Sequence, residues 1–186
     1  MRIFGSLILL SAIAVSACAH DPGAAAPANA PVPAPDLVAP APPPISVSEV
    51  TVENLLRWPL EGPTGVDKVE AGLHQVMQMK PLRGGQFRST ESVRLADGNV
   101  VNSAWLRRLV GSVIVNLAQE PCVSPEYAKG MIGAVQSPYV YDMHGVDHGK
   151  SYSIKRNTIW LTFMTTPGTY RCVTSIQINP IEKSAP

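Results

Sequence analysis

The sequence has little net charge, because its 186 residues include 15 Lys and Arg against 14 Asp and Glu. A chain this close to neutral has no overall electrostatic attraction for nucleic acid, so we expect no nucleic-acid partner. It also lacks a basic run that would bind an anionic membrane surface. A basic face for an anionic partner would have to come from a scattered set: Lys80, Arg83, Arg88, Arg94, Arg107 and Arg108. With 14 basic and 12 acidic residues over 45–183, an ordinary surface is favoured.

Familiar catalytic motifs are missing as well. The chain has no Gly-x-Ser-x-Gly and no Ser-x-x-Lys, so it shows no serine nucleophile of a known hydrolase type. No segment repeats at a fixed period, which argues against a repeat architecture. We therefore expect no cofactor, and the sequence favours a protein without enzymatic activity.

Long apolar runs are absent except for one at the start of the chain. Met1-Arg2 is a short positive segment, and residues 3–15 are apolar apart from Gly5 and two serines. A permanent membrane helix needs about 20 apolar residues. The run instead fits the apolar centre of a secretory signal, which spans about 7–15 residues.

The four residues that follow specify the kind of signal. Val15-Ser16-Ala17-Cys18 resembles the lipobox of bacterial lipoproteins. The resemblance implies that residues 1–17 are removed and that Cys18 carries acyl chains such as palmitate, which would be its contact with membrane lipid. Ala19 stands where the inner-membrane retention signal of that family has aspartate. The implied location is the inner leaflet of the outer membrane, facing the periplasm. An ordinary signal, cut after the small residues 17–19, is the alternative.

Residues 18–44 are predicted to be a lipid-anchored tether. Nine of residues 19–44 are proline and nine are alanine, so the segment has almost nothing to bury. Its prolines favour polyproline II, which would reach roughly 80 Å at most. Residues 45–183 are then a single domain, followed by a tail at 184–186.

Two cysteines remain once Cys18 is set aside. In an exported domain, Cys122 and Cys172 are expected to form a disulfide. A loop of about 51 residues would be closed, stabilising the fold by roughly 4 kcal/mol in the chain-entropy model. The alternative is that one of them is a catalytic thiol, although neither lies in a recognisable nucleophile motif.

The domain is predicted to be α+β, with an antiparallel sheet packed on one side by about three to four short helices. Thr51 caps a helix through Trp58. A longer helix starts at Thr64 and is closed by Pro81. A third starts at Ser103 and includes Trp105, and Ser124-Pro125-Glu126 starts another that ends near Gly133.

The predicted strands lie between these helices and after them. Residues 87–95 and 113–117 are β-tolerant, with turns at Gly84-Gly85 and Asp97-Gly98. The C-terminal third is predicted to be a meander of strands over residues 152–156, 158–165 and 169–178. Alternation in the last strand puts Cys172 on the half-buried face.

One loop suggests metal chemistry. His144, Asp147 and His148 resemble the inverted zinc-peptidase motif, with Asp in place of Glu. That motif needs both histidines on one helix face, and Gly145 and Gly149 argue against a helix. We predict a polar surface loop without metal, and these three residues are weak candidates only.

Three functions follow from the sequence. The favoured one is a membrane-anchored periplasmic lipoprotein with a non-enzymatic binding or scaffolding domain, whose partner is an envelope protein or a cell-wall polymer. The second is a component of an envelope assembly or secretion complex. The third is a small metal-assisted hydrolase that uses the His144, Asp147 and His148 loop.

Overall fold

The computed structural model describes residues 45–138 and 146–181. It confirms an α+β fold with one antiparallel sheet, three helices and one disulfide. The helices are α1 (Val52–Arg57), α2 (Pro63–Val76) and α3 (Pro125–Ile132). The nine strands are β1 (Lys80–Leu82), β2 (Gln86–Ser89), β3 (Val93–Arg94), β4 (Val100–Arg107), β5 (Ser112–Leu117), β6 (Val135–Gln136), β7 (Ser151–Arg156), β8 (Ile159–Thr165) and β9 (Val173–Pro180).

The strand order is β1-β2-β4-β5-β9-β8-β7-β6, and β3 pairs with β4 beside β2. The last three long strands form the predicted meander. Its final strand then pairs with β5, so β9 joins the two halves of the sheet.

Helices cover one face of this sheet, called the covered face. Inward side chains such as Leu106, Val115 and Phe163 join Leu56 and Leu73 of the helices in a single apolar core. Tyr152 stacks on Phe163 in the same layer, with ring centroids 5.0 Å apart. Burial raises the pKa of the Tyr152 hydroxyl above its ordinary value of 10.0, and the carboxylate of Glu126 adds to this effect.

The first and third helices begin as predicted. Thr51 accepts a hydrogen bond from the N–H of Asn54, and Ser124 accepts one from the N–H of Tyr127. Asp97, in the turn after β3, also accepts from the N–H of Val52 at 2.7 Å. This carboxylate lies at the helix end where negative charge is favoured, so the turn and α1 stabilise each other.

The boundaries predicted for α2 are wrong at both ends. Gly62, with φ of 99°, is the N-cap and Pro63 is the first helical residue, so Thr64 lies inside the helix. The N–H groups of the next turn bond to the Gly62 carbonyl instead of to a side chain. The helix ends at Val76 because Met77 is extended, and the segment containing Pro81 is an edge strand.

The helix predicted from Ser103 is also wrong. Residues 100–107 form β4, in which Ala104 and Leu106 are buried while Trp105 and Arg107 are exposed. The period of two prevails because β2 and β3 pair with one edge of β4 and β5 pairs with the other. Leu109 is 81% exposed in the turn that follows β4.

Two smaller boundaries differ. The segment 87–95 is interrupted and forms parts of β2 and β3. Cys172 precedes β9 instead of lying within it, because residues 166–172 form the connection from β8. A register shift between Met164 and Thr165 brings Val173 onto the covered face.

Candidate binding surface

The opposite side of the sheet, called the open face, carries no helix among the described residues. Its side chains follow from the register, since cross-strand partners point to the same side. One continuous row crosses the strands from β2 to β7: Arg88, Trp105, Ile114, Gln177, Thr162 and Ser153. Flanking rows contain Gln86, Arg107, Ser112, Asn179, Trp160 and Lys155 on one side, and Ser103, Asn116, Ser175, Met164 and Ser151 on the other.

Two tryptophans stand out on this face. Trp105 is 37% exposed and Trp160 is 43% exposed, although each lies within a long paired strand. Three strand spacings separate β4 from β8, which is about 14 Å, and the offset along the strands is about 7 Å. The two indoles are therefore separate contact points on a broad surface.

Each indole has a cation beside it. The Arg107 guanidinium carbon lies 5.7 Å from the Trp105 ring centroid, and Lys155 Nζ lies 5.2 Å from that of Trp160. Lys155 is the direct cross-strand partner of Trp160. The Trp105 indole N–H also donates to Gln86 Oε1 at 3.1 Å, which orients the ring.

The strands contain no acidic residue. None of the nine strands of the described chain includes Asp or Glu, whereas six basic residues lie in them: Lys80, Arg88, Arg94, Arg107, Lys155 and Arg156. The described carboxylates all lie in helices, turns and connections. A domain that is nearly neutral as a whole is thus asymmetric in charge, and an anion near the open face meets mainly donors.

Asp147, one of the three residues considered as metal ligands, has a structural role. Asp147 links the segment before β7 to the connection between β8 and β9. Its carboxylate accepts hydrogen bonds from the N–H of Gly149 at 2.7 Å, the N–H of Gly168 at 2.8 Å and the hydroxyl of Tyr170 at 2.9 Å. Both carboxylate oxygens are therefore engaged.

Only one of the two histidines in that loop belongs to the part of the chain that the structure describes. His148 belongs to the described chain, and His144 lies outside the described residues. Within residues 45–138 and 146–181, no group of three or more His, Cys, Asp or Glu could hold a metal ion. The absence of metal in the loop stays a prediction.

The predicted disulfide is confirmed. Cys122 and Cys172 are joined, with Cα atoms 5.2 Å apart, and the bond connects the segment before α3 to the start of β9. Both sulfurs are consumed in this bond, so the alternative of a catalytic thiol at either position is wrong for the oxidised protein. Cys18 lies outside the described residues.

A cleft of about 690 Å³ lies between the start of α2 and the turn after β7. Its lining includes Glu61 and Asp67, and no described residue lining it is basic. Glu61 is held by Lys68 at 2.5 Å, and Asn157 donates to the Leu60 carbonyl at 2.8 Å. These polar groups connect elements of the fold, and we assign the cleft no ligand.

Comparison with protein-family models, with curated proteins and with solved structures finds no match to this chain. The described part also contains no helix with the length and apolar character needed to span a membrane. Any proposal for function therefore rests on the chain's own residues.

The open face was not predicted, because the sequence pattern placed Trp105 on a helix. A usable signal was present: the Asp97-Gly98 turn is followed by alternating residues, which is typical of a hairpin. Trp160 was placed correctly in a strand, yet nothing in its own segment showed which side of the sheet the helices would cover.

Proposed function

We propose that this protein is a bacterial lipoprotein whose folded part is a non-enzymatic binding or scaffolding module. The open face would be its binding surface. The observation that carries the proposal is a broad strand-built face that exposes two tryptophans and has no carboxylate in its strands. Tryptophan and arginine are enriched at binding surfaces, and Asp and Glu are depleted there.

The N-terminal segment supports a tethered location. After removal of residues 1–17, Cys18 would carry the acyl chains, and residues 19–44 would separate the domain from the membrane. Several buried acyl chains make such an anchor effectively permanent, because each methylene contributes about 0.8 kcal/mol. The expected site is the periplasmic side of the outer membrane, where the partner would be an envelope protein or a cell-wall polymer.

Lipidation is tested by the Cys18→Ser variant grown with labelled palmitate. The parent chain should take up label and fractionate with membranes, and the variant should take up none. A labelled variant would contradict the proposed anchor.

The binding surface is tested by photo-crosslinking in intact cells. A photoreactive phenylalanine replaces Asn116, which is exposed on the open face, or Lys129, which is exposed on α3 as a control. We expect adducts from position 116 and few or none from position 129. Equal adducts at both positions, or none at either, would contradict a binding role for the open face.

The same experiment tests the envelope-assembly alternative. Discrete protein adducts of one or two sizes would favour that alternative over a cell-wall polymer as the partner. The hydrolase alternative is tested separately by metal analysis. Stoichiometric zinc in untagged protein, lost in the His144→Ala/His148→Ala double variant, would favour a metal-assisted hydrolase over the binding module.

A further inference from the structure

We infer that the open face binds a carboxylate-bearing polysaccharide strand, stacking sugar rings on Trp105 and Trp160 and pairing carboxylates with Arg107 and Lys155. This inference rests on the proposed function and specifies the class of partner for the same surface. It follows from three features of the face, namely its charge, its aromatic rings and its shape.

The charge selects an anion. None of the ion pairs among the described residues includes Arg88, Arg107 or Lys155. Two other cations near the face are already neutralised, since Lys80 pairs with Glu91 at 3.5 Å and Arg108 pairs with Glu70. The three remaining charges are therefore available to an anionic ligand, over a range of about 8–10 Å at ordinary salt.

The aromatic rings select a ligand with flat apolar surfaces. Pyranose rings present faces of C–H groups, which stack on an indole, and their hydroxyls bond to neighbouring polar groups. Trp105 and Trp160 are each half-exposed and held in a paired strand, so little conformational freedom is lost on binding. The adjacent cations lie on exposed side chains and can leave the ring for a ligand carboxylate.

The flat shape of the open face favours an extended polysaccharide chain over a compact ligand. The rings lie about 14 Å apart across the sheet and about 7 Å apart along the strands. The positions between them carry hydrogen-bonding side chains, namely Gln177, Thr162 and Asn179. A protein partner would need an apolar anchor cluster at the centre of the interface. The centre here is mainly amide and hydroxyl, with Ile114 only partly exposed.

The test uses the full chain in neutral detergent and titration calorimetry. The probe is a hyaluronan decasaccharide, which carries one carboxylate in every second sugar. The matched probe is the same decasaccharide with its carboxylates reduced to alcohols. We expect binding of the first probe and about ten-fold or greater weakening with the second.

The variants separate the open face from the rest of the surface. Lys155→Gln and Arg107→Gln should each weaken binding about three- to ten-fold, and Trp160→Thr or Trp105→Thr about ten-fold. Arg156→Gln is the control, because Arg156 follows Lys155 in the same strand, is exposed and lines a cleft with Arg57 and Leu60 instead. It should bind the decasaccharide as the parent does.

Three outcomes would overturn the inference. They are equal binding of both probes, no binding of either, and a response to phosphatidylglycerol added to the micelles in place of glycan. The third would indicate an anionic lipid surface as the ligand. If adducts still form from position 116 in cells while glycan binding fails, the proposed binding role survives and only the class of partner is wrong.

Discussion

Two residues of β8, three positions apart, show how the two faces of the sheet differ. Phe163 is fully buried on the covered face, whereas Trp160 is 43% exposed on the open face. The covered face is apolar and closed by helices. The open face mixes two aromatic rings with amides, hydroxyls and three cations that make no ion pair with a described residue. The exposed large residues of this sheet are not part of that core, because the covered face buries its own apolar side chains against the helices.

The largest expected effect is on stability, when an aromatic residue is substituted on the covered face and, for comparison, on the open face. Phe163→Ala should lower the free energy of unfolding by about 3–5 kcal/mol, because it removes buried contacts and leaves a cavity. Trp160→Thr should change it by less than about 1 kcal/mol, since threonine suits a strand and the site is solvated. Urea unfolding of both variants measures this. Similar losses in the two would mean that the open face is structural.

Next in size is the disulfide, which ties the segment leading into α3 to β9. The Cys122→Ala/Cys172→Ala variant should lose about 2–5 kcal/mol of stability, because its unfolded chain is less constrained. Thermal melts with and without reductant provide the control. The parent should fall to the level of the variant when reduced, while the variant should not respond. A parent unaffected by reduction would contradict the structural role of the bond.

Helical glycines show how closely α2 packs against the turn that precedes it. A Cβ at Gly65 of α2 would lie 1.7 Å from the Trp58 carbonyl oxygen, whereas a Cβ at Gly130 of α3 would meet nothing within 4 Å. Gly65→Ala should therefore destabilise the fold by about 1–3 kcal/mol or more. Gly130→Ala should stabilise it by up to about 1 kcal/mol, through helix propensity. Equal shifts in melting temperature would refute the close approach at Gly65.

The smallest effect concerns Tyr152 and alkaline pH. Its folded pKa is raised above 10.0, so the hydroxyl ionises more readily in the unfolded chain. The resulting stabilisation is complete below pH 10 and is lost as the pH rises through the folded pKa. Tyr152→Phe should make the decline in unfolding free energy between pH 9 and 11 less steep. Parallel declines for parent and variant would show that Tyr152 does not contribute.

Most local features could be predicted because their causes lie within a few residues. Thr51, Ser124 and Gly133 mark helix ends through bonds to their own turns, and Asp97-Gly98 makes a hairpin by backbone preference. The disulfide followed from the number of cysteines in a domain that is predicted to be exported. The segment that resembles a lipobox is likewise a linear signal, and lipidation at Cys18 stays a prediction.

Only the tertiary structure decided that residues 103–107 form a strand and which face of the sheet stays open. Their apolar spacing suits a helix as well as a strand, and pairing with β2 and β5 settled the choice. Which side the helices cover depends on contacts between residues far apart in sequence. The bond from Ser112 to Asn179 spans 67 positions, for example. A local pattern carries no information about such partners. The amino-acid sequence by itself therefore determined most of the elements and the disulfide. Only the assembled sheet made residues 103–107 a strand and placed both tryptophans and their cations on one uncovered surface.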